Sequence, residues 1–172
     1  MRARLETRYA PLVRWFHWTS FGLVALAYIA ISVGDGHGNA LAFHALAGIA
    51  VLLLALARLA ARVVYATPAI LPPLSRWNET LSRVTHVALY AFLIAQPIMG
   101  IVTVQLAGKP IDLFGHTVLP VFFGAGDAEL AERWEDVHEA VGEAFYYVIG
   151  LHILGVLWHQ FGRKDNTLRR MI

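Results

Sequence analysis

The sequence predicts an all-α, four-helix transmembrane bundle, and three observations carry that prediction. Of 172 residues, 58% are hydrophobic and only 15% charged, with a mean hydropathy of +0.56. A soluble domain would carry about a quarter charged residues. Four apolar stretches are each long enough for a helix to cross roughly 30 Å of hydrocarbon. Basic residues, finally, are sorted to one side of those stretches. The length fits one membrane domain spanning 1–172, with the lipid bilayer as its first partner. The apolar excess excludes a disordered chain and argues against nucleic-acid binding.

The spans are Trp15–Val33, His44–Val64, Val84–Leu106 and Val137–Phe161. They are rich in Ala and Leu and lack the alternation of barrel strands, so they read as helices. Pro97 inside the third is tolerated in a membrane helix and is expected to kink it. Basic residues before the first span, with Ala25 and Ala27, give it a signal-peptide alternative, which its 19-residue apolar run, longer than the usual ~7–15, disfavours. Gly34–Phe43 reads as a short turn. Tyr65–Arg83, with Pro68, Pro72 and Pro73, reads as an irregular loop. Ala107–Asp136 is the longest connection, apolar in its first half and suited to the interface. Asp127 is its candidate N-cap for a helix running into the fourth span, favoured by Glu129 and Glu132.

Arg2, Arg4, Arg8 and Arg14 precede the first span, and Arg58, Arg62, Arg76 and Arg83 flank the second connection. Arg163, Lys164, Arg169 and Arg170 follow the fourth span, whereas only Lys109 and Arg133 occupy the other side. Twelve against two places both termini in the cytoplasm. The chain is thus expected to be a multi-pass membrane protein.

There is no cysteine, so disulfides, thiolate–metal sites, iron–sulfur clusters and covalent haem attachment are all excluded. Eight histidines remain, and six of them fall in spans: His17, His44, His86, His138, His152 and His159. Ionisable residues in a membrane are costly and mark function. Only Glu139 and Glu143 accompany them as carboxylates within a span, which points to metal ligation by neutral imidazole rather than a proton relay.

His138 and His152 are fourteen residues apart, which puts both on one helix face about 21 Å apart along the axis. One metal cannot bridge that gap; two stacked haems can. His44 matches His138 in depth near the outer surface, and His17 matches His152 near the inner one. Gly48 and Gly142 follow the outer pair by one turn, and Gly150 and Gly155 flank His152, as a flat porphyrin against a helix requires. Glu135-x-x-His138 is half of a di-iron motif with no second copy, and His138-Glu139 lacks the second His of a zincin. Met99 has no histidine at its depth and reads as core. His86 rivals His17 as inner ligand. With His159, seven residues beyond His152, it otherwise suits a polar headgroup near the inner surface.

The chain resembles the bacterial cytochrome b(561) proteins, in the superfamily that includes the cytochrome b subunits of hydrogenases and formate dehydrogenases. The resemblance rests on RWFHW around His17, HALAG from His44 to Gly48, YATPAILPPL at 65–74 and THVALY around His86. It continues through WEDVHE around His138, IGLH at 149–152 and KDNTLRRM at 164–171. It implies two non-covalent b haems, held by His44 with His138 and by His17 with His152. It implies also a site for ubiquinone on the cytoplasmic side, where His159 and His86 lie. Arg14, Arg58 and Arg62 then suit haem propionates or a quinone carbonyl. One member of the family is a superoxide oxidase passing electrons from periplasmic superoxide to ubiquinone, which makes a quinone-linked oxidoreductase the leading expectation. The alternatives are an electron-transfer subunit of a larger dehydrogenase or hydrogenase, and a haem-free transporter or structural bundle. From Ala107 to Glu139 seven acidic residues face two basic ones, a net −5. A mouth that collects superoxide, an anion, should be positive, so that balance weighs against this small periplasmic reductant and suits an outer redox partner with a basic face.

Overall fold

The computed structural model describes residues 8–34, 37–124 and 126–172. Arg2 and Arg4, counted above for orientation, lie outside the described residues. Four long helices form, α1 Pro11–Val33, α2 Gly38–Val64, α3 Arg76–Ala107 and α4 Ala128–Leu157, each long and apolar enough to cross a membrane. α1 packs on α2, α2 on α3 and α3 on α4. Trp15, Phe21, Leu53, Val63, Tyr147 and Leu154 point outward, the sidedness of a bundle whose solvent is lipid. The close-packed interior is small: Val51, Ala55 and Leu93, bordered by Leu23, Val24 and Ile94.

Each helix starts where its sequence permits. Pro11 opens α1, where a missing N–H costs nothing. Ser75 caps α3 by accepting from the Asn78 N–H, and Asp127 caps α4 by accepting from Leu130 N–H at 3.0 Å, as expected. Gly108 ends α3 at φ 65°, the left-handed cap that favours glycine. Two expectations need correction. Residues 76–83, read as loop, form the first two turns of α3, because the prolines end at Pro73 and Ser75 is followed by a good cap partner. The long connection also carries a hairpin, β1 Ile111–Leu113 and β2 His116–Leu119, paired antiparallel. Gln105, fully buried, organises the return of that segment. Its Nε2 donates to Pro120 O at 2.9 Å, and its Oε1 accepts from Phe122 N–H at 2.6 Å and Phe123 N–H at 3.2 Å.

The bundle therefore has a hairpin end, with the α1–α2 turn and the β-hairpin, and a tail end, with the 65–75 loop and the residues after α4. At the tail end the chain leaves α4 through a π-helical turn, Trp158–Arg163, and reverses at Lys164 with φ 55°. Asn166 then bonds the 65–75 loop: Leu71 N–H donates to its Oδ1 at 2.9 Å, and its Nδ2 donates to Ala69 O at 3.3 Å. The last residues lie against α1, where Trp18 Nε1 donates to Met171 O at 2.9 Å and Arg14 donates to Ile172 O. Arg170 is buried over the Tyr9 ring and donates to its hydroxyl.

Candidate functional site

α2 and α4 bring His44 and His138 together at the hairpin end, with ring centroids 6.0 Å apart and planes at 84°. At the tail end α1 and α4 bring His17 to His152, with centroids at 6.3 Å and planes at 61°. Two imidazoles bound trans to one metal, with bonds of about 2 Å, would have centroids roughly 6 Å apart. The structure thus brings His44 to His138 and His17 to His152 at a spacing that would admit one metal, and it brings His86 to His152 at a similar one.

The nitrogen partners differ between the rings. His44 Nδ1 donates to Ala27 O at 2.9 Å, which leaves Nε2 as the free lone pair in the manner of metal-ligating histidines. His138 Nδ1 is buried without a partner. Its backbone carbonyl accepts from Gln96 Nε2 at 2.6 Å, and α3 can approach the ring because position 100 is glycine: a Cβ there would lie 3.1 Å from His138 Cε1. His17 Nδ1 accepts from Arg58 Nη2 at 3.1 Å, an arrangement that places the ring proton on Nε2 and must shift for that nitrogen to bind iron.

Glycine behaves only partly as expected. A Cβ at Gly48 would meet just Pro97 Cβ at 3.9 Å, and one at Gly150 or Gly155 would meet nothing within 4 Å. At Gly142 a Cβ would lie 3.0 Å from Gln96 Nε2, and its carbonyl accepts from Tyr28 OH at 2.8 Å.

His86 is the third imidazole at the tail end, 5.7 Å from His152 by centroids with planes at 85°. It is more exposed than the half-buried His17, and its Nδ1 donates to Ser82 O at 2.6 Å. Arg58 and Arg62 of α2 stack over the Tyr90 ring nearby, at 5.4 and 6.0 Å. Beyond them His159 Nδ1 donates to Asp165 Oδ2 at 2.6 Å. Burial alone would raise the Asp165 pKa, but hydrogen bonds from His159, Thr167 and Arg163 outweigh it and hold the carboxyl down at about 2. His37 and His116 are exposed at the hairpin end, away from both pairs.

Among the described residues no three His, Asp or Glu side chains converge as a metal site, so the di-iron and zincin arrangements have no counterpart. Two imidazoles per site suit a metal that brings its own equatorial ligands, as haem iron does. The orphaned His138 Nδ1 and the open faces at Gly48 and Gly155 agree with that fit. Gln96, Tyr90, Tyr28 and Asp165 are the polar residues of these surroundings that the sequence reading did not single out. Asp165 stands inside the KDNTLRRM string; the others carried no signal beyond being polar or aromatic in a span.

Paired imidazoles on facing membrane helices are the framework of a b-type membrane cytochrome. A family model described as prokaryotic cytochrome b561 matches residues 8–172. The chain is 30% identical to cytochrome b561 homolog 1 of Escherichia coli (strain K12), over 96% of this chain and 97% of that protein. It is 32% identical to the probable superoxide oxidase CybB of Yersinia pestis, over 98% of this chain and 97% of that protein. The chain belongs to the prokaryotic cytochrome b561 family. It is accordingly a haem-binding, multi-pass bacterial membrane protein of the oxidoreductase class, and the haem-free transporter reading falls away.

Proposed function

We propose that the chain is a di-haem cytochrome of the bacterial inner membrane that passes electrons from a periplasmic donor, with superoxide the leading one, to ubiquinone. The observation that carries the reading is the recurrence of one geometry at two depths: His44 with His138, and His17 with His152, at centroid spacings of 6.0 and 6.3 Å. The two α4 members are separated by about 21 Å of helix rise. The hairpin end is then periplasmic and the tail end cytoplasmic, a reading that the basic residues of the loop and tail support.

In this reading the four histidines hold and orient two b haems, and haem iron supplies the one-electron chemistry. Ala27 O orients His44. Gln96 and Gly100 set how closely α3 approaches His138. His17 is preferred to His86 as the tail-end ligand because it is the less exposed residue and because the family resemblance pairs it with His152; their spacings to His152, 6.3 and 5.7 Å, flank the 6.0 Å of the hairpin-end pair equally. His86 and His159, with Arg58 and Arg62 behind them, line the ubiquinone site. The name of the Yersinia pestis relative, a probable superoxide oxidase, supports superoxide as donor, while the net −5 of the 107–139 segment supports the second reading, a subunit docking a basic redox partner.

The test is a haem-to-protein ratio with a reduced-minus-oxidised spectrum, followed by rapid mixing of oxidised protein with superoxide, with and without ubiquinone. Two low-spin haems that superoxide reduces and ubiquinone reoxidises support the reading. No reduction by superoxide moves the assignment to the subunit reading.

A further inference from the structure

The tail end holds a carboxylate that the electron path does not use. Asp165 has a side chain with no exposed surface, yet it is an aspartate beside a membrane span. Three donors surround it: His159 Nδ1 at 2.6 Å, Arg163 Nε at 3.1 Å and Thr167 N at 2.9 Å. Thr167 N–H closes the turn on Oδ1, and Arg163, which shares Oδ2 with His159, also donates to the Pro72 and Pro73 carbonyls. The imidazole contributes something else. An aspartate that accepts from one ring nitrogen fixes the ring's orientation. Here the bonded nitrogen is Nδ1, so Nε2 is the one presented to a ligand. His159 lies seven residues beyond His152, in the π-helical turn that follows α4. Other charged or titratable groups of this end include Arg58 and Arg62 from α2, Glu79 and His86 from α3, Arg170 from the tail and Arg14 from α1. Among the described residues of this end Asp165 is the carboxylate that meets a histidine.

We infer that Asp165 is a positioning residue for ubiquinone reduction: it holds His159 so that Nε2–H points at a quinone carbonyl and delivers a proton there. The inference rests on the ubiquinone reading above. Ubiquinone takes two electrons and two protons to become the quinol. The electrons come one at a time from the donor at the other end of the bundle. As an electron reaches the quinone, the Nε2–H bond of His159 breaks and an O–H bond forms at the carbonyl oxygen. The ring regains its proton from water at the tail end, which also supplies the second proton. Asp165 stays ionised throughout, consistent with a carboxyl held at about 2.

The test uses holoprotein with its haems pre-reduced, mixed rapidly with either ubiquinone-1 or ferricyanide. Ferricyanide takes an electron and no proton. Asp165→Asn is expected to leave the ferricyanide rate within about twofold and to slow ubiquinone-1 at least ~10-fold, the lower side of a general-acid contribution. His159→Gln is expected to slow ubiquinone-1 similarly, and the double variant no further, because both substitutions remove one device. Asp165→Glu keeps the charge, moves it by one methylene and is expected to restore part of the quinone rate. Equal slowing with both oxidants, a wild-type quinone rate in Asp165→Asn, or additive losses in the double variant would overturn the inference. Should Asp165→Asn lose haem, the decision passes to Asp165→Glu and His159→Gln: wild-type quinone rates in both overturn it, selective slowing supports it. If the wild-type protein is oxidised by ferricyanide but not by ubiquinone-1, the ubiquinone reading itself falls, an outcome distinct from the others.

Discussion

The hairpin end and the tail end of this bundle each hold a pair of imidazoles at nearly the same spacing, in opposite surroundings. At the hairpin end the partners are neutral dipoles: the Ala27 carbonyl for His44 and the Gln96 amide for the His138 backbone. The charges there are acidic and exposed, and the Arg133–Glu129 pair of α4 is a solvated surface bridge that contributes little. At the tail end a third and fourth histidine, several guanidiniums and a buried carboxylate gather around the same spacing. Under the proposed function the difference has a physical reason. Where only an electron passes, neutral dipoles hold the ligands without fixing a charge; where a quinone takes electrons and protons together, titratable groups are needed.

The largest expected effect breaks the hairpin-end pair. His44→Ala or His138→Ala should remove one haem of two and leave the tail-end haem intact, read as a halved haem-to-protein ratio with one surviving α-band. Loss of both haems, or of neither, would show that the two ends are not independent sites. The tail-end counterpart is sharper because three rings compete there. His17→Ala should lose the tail-end haem, while His86→Ala should keep both and alter only the reaction with ubiquinone. Two six-coordinate haems surviving in His17→Ala would transfer ligation to His86.

A smaller effect separates packing from ligand space. Gly100→Ala places a Cβ against the His138 ring at 3.1 Å and should lower thermal stability by ~1–3 kcal/mol with a shifted hairpin-end spectrum. Gly48→Ala meets only Pro97 Cβ at 3.9 Å, so a fall in haem content there without lost helicity would place the porphyrin against that face.

Two solution experiments probe the charges themselves. The carboxyl of Asp165 is lowered from 3.8 to about 2 in the folded chain, so its contribution is fully present above pH ~4 and is lost as pH falls through ~2. Tryptophan fluorescence should therefore report release of the tail from Trp18 across that window, and Asp165→Asn should flatten it. The smallest effect concerns the acidic segment. If its net −5 shapes the field at the hairpin end, added salt should speed superoxide capture, by about twofold, through screening of repulsion. Slowing by salt would reveal a local basic funnel instead.

Much of this molecule was legible from local pattern. Span number, the Asp127 cap and the His138–His152 face follow from hydropathy, capping chemistry and helical periodicity, which act over a few residues. The first turns of α3 were misread because three prolines in the preceding loop outweighed the cap at Ser75. The hairpin at 111–119 escaped because its two strands are only three and four residues long, and the segment after it is held by a glutamine from the helix before it.

What the sequence by itself determined is therefore one-dimensional: which stretches cross the bilayer, which side the basic residues favour, and which imidazoles share a face of one helix. Only the tertiary structure decided how the helices meet. It brought His86 as well as His17 to His152, filled the space beside Gly142 with Gln96, and drew Asp165 beneath His159 by a π-helical turn and a left-handed lysine. The reason is physical. Periodicity sets direction within a helix, whereas a hydrogen bond between α3 and α4, or between a tail and a loop some ninety residues away, depends on rotation and approach that no single segment encodes.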